Sequence, residues 1–156
     1  MCIRDRAKKL NKDNHLIYTL HGDGELQEGQ IWEAFMYAAG KNVDNIIATI
    51  DYNGRQIDGD TDQVMPLGDL QAKLEAFGWV VFNQEEGNDL EKILQTLEQA
   101  KAATGKGKPV AILLHTEMGH GVDYMMGTHA WHGKAPNDEQ LESALQQNPV
   151  TPLGDY

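Results

Sequence analysis

The apolar positions of this chain fall into two alternating rhythms. Four continuous runs of strand length, Leu16–Leu20, Asn45–Asp51, Trp79–Phe82 and Val110–Leu114, are rich in β-branched, aromatic and aliphatic residues. Between them the apolar residues are spaced three and four apart, the period of a helix with one buried face. Ile31, Trp32, Phe35, Met36 and Ala39 predict a helix ending near Gly40, and Leu70, Leu74 and Phe77 a short one stopped at Gly78. Leu90, Ile93, Leu94, Leu97 and Ala100 follow Asp89, a natural cap, and break at Thr104–Pro109. Asn137 caps a last helix through Leu141, Ala144 and Leu145, ended by Pro149–Pro152. Strands alternating with helices predict an α/β domain, a parallel sheet flanked by helices on both faces. The second run is nearly all apolar, as a strand buried on both sides requires. Two long polar loops, 51–66 and 116–136, interrupt the scheme, and loops of that length in a compact domain usually carry function.

Bulk properties narrow the classes. A length of 156 residues suits one domain with a sizeable core, and 40% hydrophobic with 24% charged residues is ordinary for a soluble globular protein. The net charge of −11 argues against non-specific nucleic-acid binding, which needs clustered Lys and Arg. No apolar run reaches the roughly 18 residues of a membrane span, and no secretory h-region is read in these residues. The single cysteine, Cys2, excludes an internal disulfide, so a reducing, cytoplasmic compartment is expected. Met1–Arg6 shows no clear period and is expected to be an artefactual or foreign leader, with the domain proper over 7–156; Ala7–Leu10 then reads as the tail of a helix whose beginning is missing.

The candidate chemistry lies just past two strand ends. The stretch His21-Gly22-Asp23-Gly24-Glu25-Leu26-Gln27-Glu28-Gly29-Gln30 follows the first strand, and Asp51-Tyr52-Asn53-Gly54-Arg55 closes the second. In open α/β sheets this carboxyl edge is where ligands bind. Asp23 offers a hard carboxylate oxygen and Asn53 an amide oxygen, donors suited to Mg²⁺, which completes its shell with phosphate and water. Gly22 and Gly24 let the backbone turn sharply and approach a phosphate. The pair reads as a clamp for a metal-bound diphosphate.

Plainer readings stand beside this one. Gly22-Asp23-Gly24 is also a tight-turn sequence, and Asn53-Gly54 suits a type I′ hairpin turn. A calcium loop fails, because an EF-hand starting at Asp51 or Asp58 would put Gln56 or Gln63 where glycine is needed. His129 and His132, with His115 and His120 upstream, lack the cysteine or carboxylate that completes a familiar zinc pattern. No P-loop is present.

With both sides of the clamp in view, the chain resembles the diphosphate-binding domain of the transketolases, thiamine diphosphate enzymes. Asn53 follows Asp23 by 30 positions, the spacing of the general thiamine diphosphate signature. The string GDGELQEGQIWEA from Gly22 to Ala34 is far more specific, and Ile57-Asp58-Gly59 and GTHAWHGKAP from Gly127 to Pro136 match as well. The resemblance runs from about residue 7 to the end; the first six residues match nothing in it. It implies a partial thiamine diphosphate-binding fold, an N-terminally truncated N-terminal subunit of a split enzyme, with Leu153-Gly154-Asp155-Tyr156 as its natural end.

The resemblance also implies roles. Asp23, the Asn53 side chain and the Arg55 carbonyl would hold the metal. Gly22 and Gly24 would admit the diphosphate, and Ile57 and Met118 would lie against the cofactor rings. His129 would contact the diphosphate and line the substrate channel. Glu28 would belong to a carboxylate network at a subunit interface; its plainer role is a favourable charge at a helix start. The implied reaction moves a two-carbon ketol unit from a ketose phosphate to an aldose phosphate. A C-terminal subunit or domain would supply the glutamate that activates the cofactor, and the assembled pair would form a homo-oligomer. This chain alone is then expected not to turn over. A deoxyxylulose-phosphate-type synthase is the alternative within the same cofactor class, and a non-catalytic Mg²⁺-phosphate-binding module the alternative outside it.

Overall fold

The computed structural model describes residue 7 and residues 10–148. The expected leader, the helix tail before Leu10 and the ending after Asn148 lie outside these described residues. Strands β1 (Ile17–Gly22), β2 (Ile46–Tyr52), β5 (Val80–Gln84) and β6 (Val110–His115) form one parallel sheet in the order β1-β2-β6-β5. Helices α1 (Gly29–Gly40), α3 (Leu70–Phe77) and α4 (Leu90–Ala103) connect them, and α5 (Asp138–Gln147) follows the last strand. The Asp89 cap accepts from the N–H groups of Glu91 and Lys92, and Asn137 forms a reciprocal capping box with Gln140. Gly78 ends α3 in the left-handed conformation at φ 98°, which glycine adopts without strain.

Alternation along the strands divides the core in two. Ile46, Ala48 and Ile50 of β2, with Ala111 and Leu113 of β6, pack under Phe35 and Ala38 of α1 and Leu70 and Leu74 of α3. Ile47, Val110, Ile112 and Leu114 point the other way, onto Ala100, Ile93 and Leu97 of α4. Strand progress runs outward from β1 to β2 and on to β5, then reverses to β6. Right-handed crossovers put helices on opposite faces when that direction reverses, as α1 and α4 are. The reversal opens a crevice at the carboxyl edge above β6.

The sheet is less completely covered than the sequence suggests. Among the described residues β1 is an edge strand, and only Ile17 and His21 of it are buried; Leu20 is 72% exposed and Tyr18 52%. The stripe of α5 is open as well, with Leu141 and Leu145 exposed. That helix is held through polar contacts instead: Tyr124 Oη donates to the Gln140 carbonyl, and the Asp123 N–H donates to Gln147 Oε1. Among the described residues no helix is long and apolar enough to cross a membrane.

The loop after β2 holds structure that the polar sequence does not announce. Arg55–Gln56 (β3) and Gly59–Asp60 (β4) make a small antiparallel hairpin, followed by the single turn α2 (Thr61–Val64). The turn of this hairpin is Ile57-Asp58, so the type I′ reading of Asn53-Gly54 is corrected. Such a turn needs positive φ at both central residues, and Gly54 has it at 71° whereas Asn53 is not among the positive-φ residues. Asn53 and Gly54 form the entry to the hairpin, whose base closes through the Thr61 N–H on the Gly54 carbonyl at 3.0 Å.

Candidate functional site at the carboxyl edge of the sheet

Parallel register places Gly22 beside Asp51 and Tyr52 beside His115, so the ends of β1, β2 and β6 emerge side by side. The ladder runs one residue further: the Asp23 N–H donates to the Asp51 carbonyl at 3.1 Å. Asp23 then turns inward. Its Oδ1 accepts from the Gly24 N–H at 2.7 Å and its Oδ2 from the Gly54 N–H at 2.6 Å. The carboxylate is only 1% exposed. Burial raises its pKa, and the nearby Asp51 charge raises it further; the N–H groups of Gly54, Gly24 and Asn53 act against this.

The glycines have separate reasons. A Cβ on Gly24 would come 3.1 Å from Gln56 Cβ, so the β1–α1 turn and the hairpin pack at glycine distance. A Cβ on Gly22 would meet nothing within 4 Å. The Gly22 N–H instead donates to Glu25 Oε2, and Glu25 also reaches His21 Nδ1. A short 3-10 turn, Gly24–Gln27, carries the chain into α1, and Trp32 Nε1 donates back to the Leu26 carbonyl at 2.6 Å.

Asn53 is held from both sides. Its Oδ1 accepts the Arg55 N–H at 2.8 Å and its Nδ2 donates to Asp51 Oδ2 at 3.1 Å. The other Asp51 oxygen accepts the Thr116 hydroxyl. Asp51, which opens the second candidate stretch without a role of its own there, and Thr116, which the sequence does not single out, are therefore members of this site. The available signal is position alone: an acid ending a buried strand, and a hydroxyl just past the end of its neighbour. Asp23 and Asn53, drawn from different strand ends, thus meet in one cluster. Among the described residues neither Asp23 nor Asp51 has a basic side chain as a partner. Tyr52 feels the same field: burial, then Asp62, Asp23 and Asp69, raise its pKa.

The remaining candidates lie around this cluster. Ile57 sits at the hairpin turn, 69% exposed, which rules out its being a core residue. The hairpin is braced by an ion pair from Arg55 to Asp60, and Arg55 Nη2 donates to the Gly127 carbonyl at 3.4 Å. That contact brings the long loop beside the hairpin. His129 begins the 3-10 turn His129–Trp131 of that loop, two residues beyond Gly127, and is exposed; His132 closes the turn and is exposed too. Met118, in the same loop, is half-buried. Glu28 takes the N-cap position of α1 without capping it; its side chain accepts from Gln30 Nε2. A cleft of about 560 Å³ opens beside Asn53, with Tyr52, Asp62, His115, Thr116 and Glu117 in its walls. The strand end that carries His115 is packed tightly from outside by Gly87, whose Cβ would lie 2.5 Å from the His115 carbonyl oxygen.

Comparison with known proteins gives the family. The model of the transketolase thiamine diphosphate-binding domain matches residues 4–153. A 6-deoxy-6-sulfo-D-fructose transketolase subunit from Clostridium sp. is 44% identical over 131 residues, covering 84% of this chain and 46% of the relative. An apulose-4-phosphate transketolase subunit from Phocaeicola vulgatus is 40% identical over 90% of this chain and 49% of its own length. The chain thus spans about half the length of these curated relatives. Among solved structures, transketolase from Campylobacter jejuni superposes with a TM-score of 0.79 at 33% identity, covering 92% of this chain and 22% of that one. The parallel sheet, the carboxyl-edge cluster and these matches converge: the chain belongs to the family of transketolase thiamine diphosphate-binding domains.

Proposed function

We propose that this chain supplies the diphosphate- and metal-binding half of a transketolase site that transfers a two-carbon ketol unit from a ketose phosphate to an aldose phosphate. The observation that carries the reading is Asp23, a carboxylate buried beside a second carboxylate with only N–H groups as partners. A buried negative charge of that kind calls for a cation. In this reading the Asn53 amide oxygen and the Arg55 carbonyl join the Asp23 carboxylate, and a set of such hard oxygens fits Mg²⁺.

Thiamine diphosphate, when bound, supplies the nucleophilic carbon and the electron sink for the transferred unit. This chain binds and orients its diphosphate end. Gly22 and Gly24 keep the β1–α1 turn free of side chains there. Ile57, projecting from the hairpin, and Met118 offer apolar surface to the rings. His129 donates to the diphosphate and faces the incoming sugar. Glu28, exposed at the start of α1, serves an interface with another subunit. The relatives named as subunits support a separate partner subunit. In this reading that partner is the C-terminal one, and the assembled pair works as an oligomer in the cytoplasm. Without that partner the chain binds cofactor weakly and does not turn over.

Titration calorimetry with thiamine diphosphate and with ATP, each with Mg²⁺, tests the binding reading; heat with ATP alone would refute it. Adding the C-terminal partner and offering ribose 5-phosphate or pyruvate as substrate tests the reaction. Consumption of pyruvate instead of the aldose phosphate would overturn it. A 6-sulfo-fructose donor belongs in the panel, because a relative is named for that sugar.

A further inference from the structure

We propose that Thr116 and Asp51 are positioning residues that fix which end of the Asn53 carboxamide faces the metal. The proposal rests on the metal-binding reading above but concerns residues that reading does not place on the metal. A carboxamide has an oxygen and an NH₂ of nearly the same shape, and only the oxygen can ligate Mg²⁺. Something must decide between the two orientations, which differ by a half-turn.

Hydrogen bonds make that decision here. An ionised carboxylate only accepts, so Asp51 Oδ2 can face only the NH₂ of Asn53, at 3.1 Å. On the other side the Arg55 N–H only donates, so it can face only the amide oxygen, at 2.8 Å. Reversing the amide would set oxygen against carboxylate and NH₂ against N–H, losing two bonds at once. The oxygen keeps a second lone pair for a cation.

Asp51 is itself aimed. Its Oδ1 takes the hydroxyl of Thr116, 65 residues later in the chain and on the exit of β6. The Thr116 N–H follows the same line, donating to the Tyr52 carbonyl at 3.4 Å. The main-chain carbonyl of Asp51 holds the Asp23 N–H. One carboxylate residue thus ties the turn that bears Asp23 to the amide of Asn53, and a third strand end sets its rotamer. Partners of ligands that act in this way typically change metal affinity by about 10–100-fold when removed.

The test compares Thr116→Val, which keeps the branched shape and loses the hydroxyl, with Thr116→Ser, which keeps the hydroxyl. The first measurement needs no metal. Hydrogen exchange of the Asn53 side-chain NH₂, assigned by its disappearance in Asn53→Asp, should be slow in the wild type and Thr116→Ser and faster in Thr116→Val. The second is Mn²⁺ affinity in the presence of thiamine diphosphate, read from the resonance of free Mn²⁺. Thr116→Val should weaken it about 10-fold with an unchanged melting temperature, and Thr116→Ser should restore it. Equal exchange in all three proteins would overturn the positioning role. The expected exchange pattern in a chain that binds no Mn²⁺ would keep the positioning role and refute the metal reading. Should Thr116→Val fail to fold, Asp51→Ala takes its place in both measurements with the same expected direction.

Discussion

Oδ2 of Asp23 accepts the main-chain N–H of Gly54 at 2.6 Å, across 31 residues of sequence. This bond joins the turn after β1 to the entry of the hairpin after β2. Asp23→Ala removes it together with the bond from Gly24, leaving two N–H groups unpaired. Unpaired N–H groups cost about 1–3 kcal/mol each, and removing the buried charge offsets part of this, so the variant should lose about 1–3 kcal/mol. Urea unfolding measures this. Metal binding should vanish in both Asp23→Ala and Asp23→Asn.

The raised pKa of Asp23 sets a pH dependence with a definite sign. Burial and the Asp51 charge hold the folded pKa above 3.8, so the folded state binds the proton more tightly than the unfolded state does. The stabilisation from this group is complete below the unfolded value and is lost as pH rises through the folded one. The metal-free chain should therefore lose stability over that window, and Asp23→Asn should lack this component. Mg²⁺ with thiamine diphosphate should raise the melting temperature more at a pH above the folded value than below it, because only the ionised carboxylate attracts the cation. Thermal melts across pH, with and without ligand, decide it.

Three glycines should rank in a definite order when changed to alanine. Gly87→Ala drives a methyl to 2.5 Å from the His115 carbonyl oxygen, which is backbone and cannot step aside. Overpacking of that kind costs about 1–3 kcal/mol or more, and Gly87→Ala belongs at the upper end. Gly24→Ala meets the Gln56 side chain at 3.1 Å and should cost about 1 kcal/mol. Gly22→Ala meets nothing and should fold as the wild type, though it should weaken diphosphate binding. Melting temperatures and cofactor titrations together separate the fold effect from the site effect.

Burial also separates residues that look alike in the sequence. Phe35→Ala, at 0% exposure and stacked edge-on against Trp79, should cost about 3–5 kcal/mol. Leu20→Ser, on the open side of β1, should stay within about 0.5 kcal/mol. It should also reduce self-association of the isolated chain, measured by sedimentation.

The strands and main helices are legible in the sequence because each has a strong period and a chemical stop. Asp89 and Asn137 cap where they should, Gly78 stops α3, and the apolar run of β2 is buried on both sides. The meeting of Asp23 with Asn53 follows from two acidic or amide clusters past two strand ends. The hairpin at Arg55–Asp60 is not legible, because strands of two residues leave no alternation to read. The bare side of β1 is hidden for a different reason: Tyr18 and Leu20 have the composition of a covered strand, and only the strand order reveals an edge. Thr116 has only its position just past a strand end as a sequence signal, since its partner Asp51 lies on another strand.

Asp23 sits under two N–H groups of its own chain. Its rotamer is fixed by folding, so no side-chain entropy remains to be lost on that residue at the moment of encounter. On the proposed metal reading, an ion reaching Asp23 meets a side chain already held in place. Its capture should therefore be limited by diffusion and shedding of water, with little dependence on solvent viscosity beyond the encounter itself.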